Sequence, residues 1–208
     1  MIKMKNINLK FKGRVIFSGL DLNIENPGVY GFAGPNGTGK SVLFKLISGI
    51  YRPDHGEVYI RGQRLGKNGL DFAPNLGIMV NDPGFVGIYP GFKNLKFLAE
   101  IQGKIKDEDI KKWMRYLDLN PEDKTLTKNY SLGMKQKLGI IQAVMENQDI
   151  VILDEPFNAL DKKSAATVKE LISTLKSQNK IVLLTSHNDS YLEEVCDKIY
   201  HLEDYKLI

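Results

Sequence analysis

A chain of 208 residues, 42% hydrophobic and 26% charged, can bury one sizeable core, which excludes an intrinsically disordered protein. Its 29 basic and 25 acidic residues leave a net charge of +4, too small an excess to argue for a polyanionic partner, so no nucleic acid is expected. One cysteine, Cys196, permits no internal disulfide and no thiolate metal cluster; beside Val195 it reads as packing, which suits a reducing compartment.

The first segment, MIKMKNINLKFKGR, mixes charge with apolar residues and lacks the apolar core of a secretory signal. Within it Ile2, Met4, Ile7, Leu9 and Phe11 alternate as in a half-buried strand, and Leu20, Leu22 and Ile24 repeat the pattern. Pro27-Gly28 turns the chain into a short buried strand, Val29–Ala33, which runs into glycine-rich sequence. A helix is expected over Lys40–Ser48, stopped by Gly49, then strands at Glu57–Ile60 and Ile78–Val80. Residues 82–129 change character. Pro83, Gly84, Gly87, Pro90 and Gly91 make an irregular stretch, followed by helical patterns at Lys93–Gln102 and Asp107–Asp118. The basic run Lys111-Lys112-Trp113-Met114-Arg115 reads as a solvated helix face over an apolar one.

A small turn, Tyr130-Ser131-Leu132-Gly133, enters a further amphipathic helix. Strand Ile150–Leu153, helix Lys162–Ser177, strand Ile181–Thr185, helix Asp189–Val195 and strand Lys198–His201 then alternate, as in a mainly parallel sheet with helices on both faces. No run approaches the roughly 18 apolar residues that span a bilayer. Action at a membrane would therefore need another chain to cross it.

Three segments carry chemistry. GPNGTGKS, residues 34–41, satisfies G-x-x-x-x-G-K-[ST] between a strand and a helix. Gly34, Gly37 and Gly39 let successive N–H groups turn inward on an anion, and the helix adds the positive end of its dipole. The candidate nucleotide-binding run is Gly34, Pro35, Asn36, Gly37, Thr38, Gly39, Lys40, Ser41 and Val42. Lys40 is expected to reach the β- and γ-phosphates of ATP, and Ser41 to ligate Mg²⁺. Next, the apolar strand Ile150–Leu153 delivers Asp154 and Glu155 to the sheet edge where ligands bind. Asp154 is the candidate metal-shell carboxylate and Glu155 the candidate base for an attacking water. Lastly, the strand IVLLTSH ends in His187 on the same edge, where an imidazole can bond to the γ-phosphate and the water. His55 and His201 are read as surface or structural.

In this order GPNGTGKS, YSLGMKQKL, IVILDEPFNALD and LLTSH resemble the ATP-binding subunit of an ABC transporter, over nearly the whole chain. The resemblance implies an α/β fold: a P-loop NTPase with a mainly parallel core sheet, an N-terminal antiparallel β part and an inserted helical subdomain near 82–147. It implies one domain over 1–208, with ATP and Mg²⁺ as cofactors. The chain would pair head to tail with an identical or related ATPase, so that YSLGM covers the partner's nucleotide through Ser131 and Gly133. Phe11 matches the adenine-stacking aromatic, and Asp161 the loop that acts across the dimer. Asn81 stands where the family usually has a metal-contacting glutamine, one methylene longer. Leu132 and Met134 depart from the usual LSGGQ signature and are similar to those of peptide-antibiotic resistance and immunity exporters.

Export powered through a separate transmembrane permease subunit, from the cytoplasmic face of the membrane, is the expected role. Phe85, Tyr89, Phe92 and Phe97 would line the surface that receives a helix of that subunit. Another direction of transport, or a haem-type exporter, would use the same engine. A soluble ABC-type ATPase acting on ribosomes or DNA would be expected to carry two cassettes or long insertions. A simple P-loop kinase leaves YSLGM, the Ala-Leu-Asp loop and His187 without a purpose.

Overall fold

The computed structural model describes residues 1–11, 13–80 and 84–208. Among them the strands are β1 Ile2–Phe11, β2 Arg14–Ile24, β3 Gly28–Ala33, β4 His55–Ile60, β5 Gln63–Arg64, β6 Leu76–Met79, β7 Ile150–Leu153, β8 Ile181–Thr185, β9 Lys198–Glu203 and β10 Lys206–Leu207. The α-helices are α1 Lys40–Ser48, α2 Gly91–Gln102, α3 Asp107–Tyr116, α4 Leu132–Val144, α5 Lys162–Ser177 and α6 Asp189–Val195. The sequence pattern anticipates most of these bounds. It misses β5 and β10, two-residue strands too short to show a period, and it runs the sixth strand to Val80 where pairing stops at Met79.

An antiparallel sheet of order β2-β1-β4-β5 packs beside a second sheet of order β10-β9-β3-β8-β7-β6. In the second sheet every pair is parallel except β9 with β10. The period of two assigns the faces of its central strands. Ile150, Ile152, Ile181, Leu183 and Phe32 turn toward α1 and the antiparallel sheet, where Phe44 meets Phe32 edge-on at 5.4 Å. Val151, Leu153, Val182, Leu184 and Val29 turn the other way, into a core shared with α2 to α6. A strand buried on both faces must be apolar throughout, which explains the unbroken IVIL and IVLL.

The helices after β6 form the layer that carries the signature-like turn. In α3, Ile110 and Met114 are buried, while Lys111 reaches Glu108 and Glu122, the solvated face expected of the basic run. Helix α4 returns to the core sheet so closely that a Cβ on Gly77 would stand 1.7 Å from the Ala143 carbonyl oxygen. Only glycine admits that approach between β6 and α4. Cys196 is packed near Gly31, and burial pushes its thiol up to about 12, so it stays protonated and inert. Among the described residues no helix is long and apolar enough to cross a membrane.

Candidate active site

Strands β3, β8 and β7 are neighbours and parallel, so their C-terminal ends open on one edge. That register brings three distant stretches of sequence to one cleft of about 450 Å³. Asn36, Gly37, Gly39, Lys40, Ser41, Val42, Asp154, Glu155 and His187, all singled out from the sequence, line it.

The loop after β3 is shaped by its glycines. Gly34 has φ 139, and a Cβ there would lie 2.8 Å from the Leu202 carbonyl oxygen. Gly39 has φ 109, and a Cβ would press on Ile16 at 2.9 Å and Phe17 at 3.0 Å. Both backbone conformation and space therefore demand glycine. Helix α1 opens at Gly39 with no side-chain cap and no acidic residue in its first turn. Its N-terminal N–H groups and positive dipole end are left for an anion from outside the chain. Pro35 and Thr38 close the loop, the Thr38 hydroxyl donating to the Pro35 carbonyl at 3.0 Å. Lys40 is only 8% exposed and folds over the same loop, donating to the carbonyls of Gly34 at 2.6 Å and Pro35 at 3.1 Å.

The carboxylates Asp154 and Glu155 line the same cleft as the loop. The Thr185 hydroxyl donates to Asp154 Oδ1 at 2.7 Å and accepts the Glu155 N–H at 2.8 Å, locking both acids to the end of β8. Glu155 takes φ 55, unusual for a side chain of its size. Its Oε2 accepts the His187 N–H at 2.8 Å, while Oε1 is buried without a hydrogen-bond partner. His187 Nε2 stands 3.6 Å from that oxygen. Burial pushes the Glu155 carboxyl above its usual range; Asp154 adds to this, and the His187 N–H, the His187 ring and Lys40 oppose it.

Magnesium and a triphosphate fit this donor set. The glycine cradle matches phosphate, the unpaired Glu155 Oε1 matches a bound water, and the Ser41 hydroxyl and Asp154 are hard oxygen donors on the same cleft. Among the described residues no three of His, Cys, Asp and Glu gather as a metal cage.

A sequence profile of the family described as ABC transporter matches residues 17–158, more than half of the chain. The chain belongs to the ABC transporter family. This ABC chain is 32% identical to the uncharacterized ABC transporter ATP-binding protein YybJ of Bacillus subtilis (strain 168), over 95% of its own length and 90% of that protein. It is 31% identical to the bacitracin transport ATP-binding protein BcrA of Bacillus licheniformis, over 100% of this chain and 68% of that one. The lantibiotic transport ATP-binding protein SrtF of Streptococcus pyogenes shares 29% identity over 100% and 89% of the two chains. The fold matches a solved dimeric post-hydrolysis state of an ATP-binding cassette bound to ADP and Pi, with TM-score 0.89 and 21% identity, covering 100% of this chain and 96% of that one.

Other residues of the ABC chain lie elsewhere. Phe11 is 50% exposed and stacks on Tyr51 at 6.2 Å instead of lining the cleft. Ile16 lines it in place of an aromatic. Ser131 caps α4, accepting the Met134 N–H at 3.2 Å. Gly133 gives room to a neighbouring loop, since a Cβ there would sit 2.7 Å from the Ala159 carbonyl oxygen. Asp161 caps α5 by accepting the Ser164 N–H at 2.7 Å, which holds its carboxyl below the usual range. None of Ser131, Gly133 and Asp161 lines this chain's own cleft, whereas Leu132, Gln136 and Asn158 do. Asn81 lies outside the described residues. Thr185 carries a sequence signal of its own, a lone polar residue closing an apolar strand. Gln136 carries none, because a glutamine inside a helix is ordinary.

Proposed function

We propose that this chain is the MgATP-hydrolysing subunit of an ABC transporter and powers export through a separate membrane-spanning subunit. The observation that carries it is the single cleft where the glycine loop, Lys40, Asp154, Glu155 and His187 meet. Lys40 and the first N–H groups of α1 hold the β- and γ-phosphates. Ser41 and Asp154 hold magnesium, which when bound neutralises phosphate charge. Glu155 Oε1 orients the attacking water and accepts its proton, and His187 steadies the water and the γ-phosphate. Positioning and charge neutralisation are what phosphoryl transfer asks of a protein.

The Ser131–Gly133 turn covers the nucleotide of a second copy or a related ATPase, so that ATP holds two cassettes together and hydrolysis releases them. Exposure of Leu132 at 59% and of Ser131, the N-cap at the positive end of α4, supports this role. Asp161 acts across the same interface, and Phe11 swings from Tyr51 onto the adenine. A groove of about 370 Å³ lined by Ile50, Phe85, Val86, Phe97 and Leu98 receives a helix of the membrane subunit on the cytoplasmic side. Phe85 and Phe97 serve the groove, Tyr89 braces Phe97 edge-on at 5.1 Å, and Phe92 packs on the core. Relatives named for bacitracin and lantibiotic transport support export of a peptide-like cargo.

The test is isolation of tagged Glu155→Gln with ATP from detergent-solubilised membranes, beside turnover assays of the wild type. Co-isolation of a multi-span membrane protein, with Mg²⁺-dependent turnover lost only in the variant, is expected. Recovery of ribosomes or DNA in its place would overturn the transport role.

A further inference from the structure

Gln136 is a buried polar residue of α4, set between Lys135 and Lys137 yet only 7% exposed, five residues after Ser131. Its side-chain Nε2 donates to the Glu155 carbonyl oxygen at 2.6 Å. A carbonyl can only accept, so the amide nitrogen must face it. The same carbonyl accepts the Asn158 N–H at 3.2 Å. Glu155 is thus gripped at three groups: N–H by Thr185, Oε2 by the His187 N–H, and C=O by Gln136 and Asn158. These ties hold a non-glycine residue at φ 55, a conformation that persists where its surroundings over-determine it. Oε1 alone is left buried and unpaired. A second contact joins the same two segments, the Ala159 carbonyl lying against Gly133 of α4.

We propose that Gln136 is a positioning residue for Glu155. It fixes the left-handed backbone that aims the carboxylate, and it ties that backbone to the helix capped by Ser131. A displacement of the first turns of α4 is then transmitted to the Glu155 backbone, so contact at the Ser131 end sets the alignment of this chain's own base. The inference rests on Glu155 being the base, as proposed above.

Gln136→Met keeps the length and removes the donor; Gln136→Glu keeps the shape and turns an oxygen toward the carbonyl. For each full-length variant, kcat, KM for MgATP and Tm are measured, with Glu155→Gln alongside. The expected result is a fall in kcat of about tenfold or more with KM within about twofold, as misalignment of a reacting group produces. An unchanged kcat in either folded variant overturns the proposal. So does a fall in kcat that tracks a lower Tm and vanishes when turnover is assayed well below it, which marks a structural role only. Full turnover in Glu155→Gln would instead overturn the base assignment. A dead Glu155→Gln beside a fully active Gln136→Met sinks the positioning role alone.

Discussion

Glu155 and Lys40 line the same cleft, and burial acts on the carboxylate against its charge. Because burial raises the Glu155 carboxyl, Glu155 takes up its proton at a higher pH than an exposed glutamate, and so would the base it is proposed to be. Turnover should therefore be lost as pH falls through a point above the ordinary carboxylate range, and kcat measured from pH 8 downward checks this. Glu155→Gln should keep ATP binding and lower kcat by roughly 10²–10⁴-fold, the usual worth of a general base. Lys40→Ala should lose tight ATP binding as well as turnover, read by nucleotide titration, because it removes the ammonium laid over the loop. At this scale the glycines, Lys40, Ser41 and the acid pair were legible, since their chemistry demands fixed residue types at fixed spacing. The place of Phe11 was not. Whether an aromatic at a strand end turns to a base or to Tyr51 depends on a neighbour 40 positions away.

Elements are held by close approach as much as by apolar area. Gly77→Ala would drive a methyl into the Ala143 carbonyl, where neither β6 nor α4 can give way. A loss of about 3 kcal/mol, the upper part of the overpacking range, is expected by chemical denaturation. Phe44→Ala removes a fully buried ring that α1 sets between the sheets, and should cost roughly 3–5 kcal/mol by the same measurement. Most elements could be read from their periods, and α5, β7 and β8 match the expected bounds. The exceptions have local reasons. Two-residue strands show no period, and the Lys93 start of α2 moves back to Gly91 because the preceding Pro90 opens the helix and Asn94 binds the loop before it.

At the scale of the whole molecule, Ser131 and the groove stand outside the residues that line this chain's own cleft. Ser131→Arg should bind ATP and fail to form an ATP-dependent dimer, measured by light scattering in the Glu155→Gln background. An intact dimer would remove the role given to the turn. Lys93→Glu reverses an exposed charge that lies over the Tyr89 ring at 4.4 Å, beside the groove. It should weaken co-isolation of the membrane subunit while leaving ATP binding unchanged.

By itself the sequence determined the fold class, the glycine loop between a strand and a helix, the acid pair at a strand end and the family resemblance. Each rests on local periodicity or on short motifs whose spacing is set by backbone geometry. Tertiary structure alone decided that Thr185 locks both acids, that Gln136 grips Glu155, that Gly133 serves Ala159 and that Phe11 rests on Tyr51. Such contacts join residues far apart in the chain, and which pairs meet depends on strand order and helix packing that no single segment encodes.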